Sequence, residues 1–577
     1  MPLARTGKSL SLVLLTSALL ACGGGGSGGG AASSSSSSIS STASSAVSSA
    51  SSSVSSEAAS SISSSTSSSE GASSSSAAAS SSSSSAVVSS SSSSAASSYS
   101  VVLGSTGATG WAAVGTNNLG ATGTTGGDGA TTIYTVSNRN QLLQALYSSV
   151  TINTDGSFSG TLNANKKIIY VSGTISLNMN KALTEYTADA YVAASCAKST
   201  YGYSTESELW SAYYAAYKPS VWGLSTGVSG NPELARACAQ ALQGKVVKVP
   251  VPSNTSIIGL GSDAKIVHGN LVIGSGTSST SDNVVIRNIT FEDSFDFFPQ
   301  WDPTDSGGRW NSQYDNISVM YATHVWIDHC EFSDGARIDH NYPSVWTDVI
   351  GSVNYAASDF KVQHHDGLVD ITKSANYVTL SNNYFHDHDK SFNIGGTDTV
   401  STTGERPGVL NVTFHHNYFK NLKQRQARMR YGQIHMYNNY YEGTTSSSAD
   451  YPWAVAWSTG NGAKAYMENN VFTVTGASVS SLAGGSVSSS KVTACTDAGY
   501  STEGCTAYFY DSGTVLNGSS VSVTSSVTMS NVTKSAYWTP ATAYGASYTL
   551  DATTNLATTV PANAGVAKAS ASGAKRK

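Results

Sequence analysis

The sequence predicts an all-β solenoid, a parallel β-helix with long loops inserted between its coils, and three observations carry that reading. Nine-residue strings recur along the chain: residues 283–291 read NVVIRNITF, 324–332 HVWIDHCEF, 377–385 YVTLSNNYF, 411–419 NVTFHHNYF, 433–441 QIHMYNNYY and 464–472 KAYMENNVF. Their second and fourth positions are apolar every time, from Val284 and Ile286 to Ala465 and Met467, and the ninth is always aromatic. That alternation marks a strand with one inward face. Asn also returns at the seventh position, as Asn383, Asn417, Asn439 and Asn470. Solenoids place equivalent positions on top of one another, and stacked Asn side chains at a turn can bond each other and cap backbone groups.

The tightest Asn spacing, 417 to 439, is 22 residues, about one coil. Wider spacings imply inserted loops. A propeller would need regular four-stranded units, which this irregular spacing does not supply. No amphipathic helical run is long enough to suggest an α/β sheet, and residues 141–147 read as a short helix capping the stack.

From the N-terminus, Arg5 and Lys8 precede an apolar run at 10–20 that is too short to span a bilayer. It ends in Leu19, Leu20, Ala21 and Cys22, which resembles a bacterial lipoprotein signal, so residues 1–22 are expected to be a leader with lipid attached at Cys22. An ordinary secretory signal is the other reading. Residues 23–100 are almost entirely Ser, Ala and Gly; they lack the apolar residues that offset the entropy of ordering and read as a tether. Residues 101–577 remain for one large folded domain. Only 12% of residues are charged and the formal net charge is -5, so no basic field attracts nucleic acid. Any anionic ligand must be held by a local cluster.

Five cysteines remain beyond Cys22. Cys196 and Cys238 flank an Ala-, Tyr- and Trp-rich insertion and are expected to pair, as are Cys495 and Cys505 around a short loop. Cys330, inside an apolar strand, reads as a buried thiol.

Three polar clusters carry the candidate chemistry: residues 298–317, 363–390 and 421–433. Asp366 and Asp370 lie four apart where a turn leads into a strand, and with Asp315 they could offer oxygen ligands to one hard cation. An oxygen-only set favours calcium over zinc. Taken singly, each acid reads equally well as a solvated surface group. The third cluster holds Arg425, Arg428 and Arg430; strand alternation sets Arg428 and Arg430 on one face and Arg425 on the other unless a turn intervenes.

In this order and spacing the clusters resemble the pectate lyases of polysaccharide lyase family one. The shared features are WIDH at 326–329, the QWDPTD segment at 300–305, HDG at 365–367 followed by Asp370, HDHDK at 386–390 and the Arg-x-x-Arg-x-Arg-aromatic-Gly-Gln string at 425–433. The likeness covers roughly residues 101–475. It implies a right-handed, single-stranded parallel β-helix acting as a monomer outside the cell. It also implies Asp315, Asp366 and Asp370 as ligands of Ca2+, Arg425 as catalytic base, and Lys390 and Arg430 as binders of substrate carboxylates. Ala427 departs from the pattern, since the family commonly has proline there, pinning the turn that presents the arginine.

The implied substrate is polygalacturonate, cleaved by β-elimination. The proton at C5 is poorly acidic because the adjacent carboxylate is already charged; a bound cation with Lys390 and Arg430 would neutralise that charge as it grows. Arginine is ordinarily always protonated, so a base role requires a crowded cationic site, and the expected activity optimum is alkaline. Three rivals stand beside this reading: a hydrolase using the same acids as acid and base, a lyase acting on methyl esters without calcium, and a non-catalytic adhesin. A chain truncated to begin at Val101 is expected to fold and keep its turnover; loss of folding on truncation would show that the Ser-rich tract does more than tether.

Overall fold

The computed structural model describes residues 107–568 except 116–122, 277–279, 306–307, 343, 347–348, 351–352, 355–361 and 545–547. The expected leader, its Cys22 and the Ser-rich tract therefore lie outside the described residues.

Each coil turns through three faces. The first is built from Asp282–Arg287, Thr323–Asp328, Asn376–Ser381, Val412–His415, Gln433–Tyr437 and Lys464–Glu468, and it continues into Ala507–Ser512. The second holds Thr290–Glu292, Glu331–Ser333, Tyr384–Lys390, Tyr418–Gln424, Tyr440–Thr444 and Val471–Thr475. The third holds Asn270–Ile273, Ile317–Met320, Val369–Thr372, Asn393–Ile394, Arg428–Met429 and Trp457–Thr459. The first two faces join in one nineteen-stranded sheet and the third is a sheet of nine. Pairing between successive coils is parallel.

The apolar alternation becomes columns. Val284, Val325, Val378, Val412, Ile434 and Ala465 are successive Cα partners, as are Ile286, Ile327, Leu380, Phe414, Met436 and Met467. All are buried. The aromatic ninth positions, Phe291, Phe332, Phe385, Phe419, Tyr441 and Phe472, stack one on the next with ring centroids 4.2 to 5.5 Å apart.

Between first and second faces the chain turns on one left-handed residue per coil: Asn288, His329, Asn382, His416, Asn438 and Asn469. Asn is the commonest choice because its side chain tolerates this region. The seventh-position Asn follows. Asn417 Oδ1 accepts the Asn383 backbone N–H at 3.0 Å and its Nδ2–H at 3.1 Å, while Asn417 Nδ2 donates to the Leu380 carbonyl at 2.9 Å and to Asn439 Oδ1 at 3.1 Å. Asn439 and Asn470 repeat the pattern. Cys330 ends the ladder: it is buried, its N–H donates to Asn383 Oδ1, and burial pushes its thiol up to about 12.

The expected cap is the helix Arg139–Leu146, whose Leu142, Leu143 and Leu146 close the end of the core. Both expected disulfides are present, Cys196–Cys238 and Cys495–Cys505. The sequence marked no helical run long enough for an α/β sheet and left the fold of the insertion open. The insertion folds as helices that include Glu206–Tyr217 and Asn231–Val247. Hydropathy hid the longer one because its buried face is partly polar: Glu233, Arg236, Gln240 and Gln243 recur at helical spacing and are all buried.

Replacing Asn417 with Ala should leave the Asn383 N–H and the Leu380 carbonyl buried without partners. We expect a loss of about 3 kcal/mol, read as a lowered thermal or denaturant midpoint; an unchanged midpoint would refute the ladder's contribution.

Candidate active site at the corner between the second and third faces

The sequence-predicted residues gather where the second face turns into the third. Asp315 precedes Ile317–Met320, and Asp366 precedes Val369–Thr372, which carries Asp370. Lys390 ends Tyr384–Lys390 and precedes Asn393–Ile394. Arg425 and Arg430 flank Arg428–Met429. Backbone bonds fix the order of these corners: Ile317 N–H to the Leu368 carbonyl, Leu368 to Ser391, Ser391 to Gln424 and Phe392 to Arg425. Four successive coils thus present acids on two levels, Lys390 on the next and the arginines on the last.

Asp315 Oδ1 accepts the Gly367 N–H at 2.9 Å and its Oδ2 accepts the Ser318 hydroxyl at 2.5 Å. Asp370 Oδ1 accepts the Asn393 N–H at 2.9 Å. Both carboxylates converge over Gly367: a Cβ there would lie 2.6 Å from Asp370 Oδ1 and 2.8 Å from Asp315 Oδ1, so a side chain at 367 would push the two acids from their places. Burial, then the Asp366 charge, pushes Asp315 up to about 7. Burial, then Asp315 and Asp366, holds Asp370 well above the usual carboxylate range, with Arg425 partly offsetting them. Among the described residues, no three acidic, imidazole or thiol side chains stand close enough to hold a metal ion. The donor chemistry nevertheless fits a hard cation: the two converging carboxyls offer oxygen, and a bound cation would relieve the burial and mutual repulsion that oppose their ionisation. Such an ion would need oxygens from substrate and water as well.

Arg425 takes the left-handed backbone conformation that a turn requires. Without proline at 427, hydrogen bonds fix that turn. The Arg425 carbonyl accepts Phe392 N–H at 2.8 Å, Gln426 N–H reaches the Ala456 carbonyl at 2.7 Å, and Gln426 Nε2 reaches the Leu422 carbonyl at 2.9 Å. The half-buried Arg425 guanidinium has no hydrogen-bonding or ion-pairing partner among the described residues. Lys390 Nζ donates to Gln363 Oε1 at 2.5 Å. Burial opposes ionisation of Asp389 beneath it, but Lys423 and Lys390 outweigh burial and hold that carboxyl far below its usual range. Arg430 is buried, with Nε on Asp398 at 2.7 Å and Nη1 on Asn393 Oδ1 at 3.0 Å and on the Gly395 carbonyl. Its Nη2 has no partner among the described residues.

Several site residues escaped the sequence reading. Gln363, Asp389 and Asp398 steer the cationic groups, while Arg428, already named in the third cluster, lies beside Asn393 in register and extends the column that starts at Ser318 and Asp370. The HDHDK string held the signal for Asp389; nothing local marked Asp398. The helical insertion also reaches this corner. Gln240 donates to Asp296 and to the Phe298 carbonyl, and its own carbonyl accepts the hydroxyl of Tyr314, the residue before Asp315.

A protein-family model described as pectate lyase matches residues 223–569. A pectate lyase of Bacillus subtilis (strain 168) is 41% identical over 455 residues, 78% of this chain and 90% of that one. The solved pectate lyase of Acidovorax avenae subsp citrulli is 51% identical with a TM-score of 0.76, covering 81% of this chain and 95% of that one. A solved pectate lyase bound to a hexasaccharide is 40% identical with a TM-score of 0.63, covering 80% and 96%.

Asp315 has a pH signature. With its carboxyl raised to about 7, the folded state holds a proton that the unfolded chain, near 3.8, has lost, so ionisation costs stability as pH rises through that window. In chelator, Asp315→Asn should therefore raise the midpoint by several degrees at pH 8 and have little effect near pH 4. Equal shifts at both pH values, measured by thermal scans, would contradict this.

Proposed function

The chain belongs to the pectate lyase family, and on that premise we propose that it cleaves polygalacturonate by calcium-dependent β-elimination. The observation that carries the proposal is the crowded pair Asp315 and Asp370 one side of the corner, with an unpartnered guanidinium, Arg425, on the other. Asp315, Asp366 and Asp370 would hold the ion together with a uronate carboxylate. Bound calcium supplies positive charge against the negative charge that grows on the uronate as its C5 proton leaves.

The chain's own groups divide the remaining work. Arg425 takes the C5 proton; the electron pair becomes the C4–C5 double bond, the C4–O bond breaks, and the departing oxygen acquires a proton. Lys390 binds uronate carboxylate through its ammonium, and Arg430 adds its buried charge and its remaining Nη2–H donors. The guanidinium of Arg430 is preorganised by Asp398 and Asn393, so little side-chain entropy is lost when a carboxylate arrives. We also read the enzyme as exported and held at the membrane through lipid on Cys22. The two disulfides support an oxidising compartment.

Incubation with polygalacturonate should give ultraviolet absorbance from the conjugated product, abolished by excess chelator. New reducing ends without absorbance would mean hydrolysis, and full activity in chelator would reject the metal. Asp370→Ala should weaken calcium dependence and activity together. Arg425→Lys should lower kcat by orders of magnitude while substrate binding persists, as expected for a group acting mainly in the transition state. Near-normal kcat in that variant would move the base to another group, Lys390 first.

A further inference from the structure

The acid-bearing segment 364–367 lies outside the strands; backbone bonds hold its two ends, at the His364 and Gly367 carbonyls, and side chains add to them. His364 Nδ1 bonds the Asp296 carbonyl at 2.7 Å, His365 Nε2 lies 3.0 Å from Asp293 Oδ1, and Gly367 N–H donates to Asp315. At Asp366 itself the backbone N–H makes only a long 3.4 Å bond to the Tyr314 carbonyl. Its carbonyl is fixed instead by His388, whose Nε2 lies 2.9 Å away. His388 Nδ1 lies 2.6 Å from Asp334 Oδ1, and Asp334 Oδ2 accepts the Tyr451 hydroxyl at 2.5 Å. Both partners of the ring are acceptors, so both nitrogens donate. The His388 and Asp334 side chains are 1% and 2% exposed. Burial opposes ionisation of Asp334, but His365 and His388 outweigh it and hold the carboxyl below its usual range.

We propose that His388, Asp334 and Tyr451 are positioning residues for this reaction: they lock the peptide at Asp366 so that the carboxylates of Asp366 and Asp370 are preorganised for a divalent cation. This rests on the calcium reading above. The chain of contacts joins three coils, since Asp334 follows Glu331–Ser333, His388 lies on Tyr384–Lys390 and Tyr451 follows Tyr440–Thr444. None of the three needs to touch substrate. Groups that orient carboxylate ligands from behind typically change metal affinity by about 10–100-fold when altered.

The test is calorimetric titration of the metal-free full-length protein with calcium, alongside rates as a function of calcium. Tyr451→Phe and Asp334→Asn should each bind calcium about tenfold more weakly and need correspondingly more for half-maximal rate, while kcat at saturating calcium returns to near the wild-type value. His386→Gln, on the same strand but bonded to Asp387 and Glu331, should leave affinity unchanged. Unchanged affinity in both variants, or a loss of kcat that calcium does not relieve, would overturn the positioning role while leaving the calcium reading intact. A wild-type protein that takes up no calcium would bring down both. If Asp334→Asn fails to fold, Tyr451→Phe, which removes one hydroxyl, decides.

Discussion

One Asn side chain in each of four successive coils, Asn383, Asn417, Asn439 and Asn470, pins the register of the parallel stack on which the site depends. Asn417 accepts two hydrogen bonds from Asn383, gives two to Asn439 Oδ1 and one to the Leu380 carbonyl, and is fully buried. Parallel strands one residue out of step would bury the polar face and expose the apolar one. The ladder makes such a slip costly, because it would leave several buried amides unpaired at once. With register set, the stacked aromatic column and the columns of Val, Ile and Leu follow.

The same register brings Asp315, Asp366, Lys390 and Arg425 to equivalent corners of four successive coils, although 110 residues separate the first from the last. Stacking creates the electrostatic conflict at the centre of the site. Asp315 and Asp370 are pressed together with Asp366 nearby, and burial together with the neighbouring acids makes Asp315 and Asp370 costly to ionise. Cationic side chains occupy the next two levels. A site with acids on one side and cations on the other suits a ligand that carries carboxylates and can share a metal ion, since each half is incomplete without it.

The helical insertion bears on this corner through polar contacts. Arg236, paired with Glu233 at 2.8 Å, and Gln240 both bond the Phe298 carbonyl. Trp301, Trp310 and Tyr314 pack with Leu209, Tyr213 and Val246 of the helices. The loop that delivers Asp315 to its coil therefore folds against the insertion. The Cys196–Cys238 bridge closes the ends of that insertion on each other.

By itself the sequence determined the solenoid, its inward columns, the Asn ladder, the capping helix, both disulfides and the buried thiol of Cys330. Each of these is written in local periodicity or in residue types with few stable environments. It also named the acids and cations that meet at one corner, because they sit beside recognisable strand strings. Only the tertiary structure decided how those groups are held. His388, Asp334 and Tyr451 converge on Asp366 from three coils, and Asp398 reaches Arg430 across 32 residues. Such contacts depend on which loops the coils bring together, and nothing in the neighbouring residues records that. The helices of the insertion were hidden for a related reason: the buried Arg236, Gln240 and Gln243 each bond a group over fifty residues away, so hydropathy alone could not mark that face as buried.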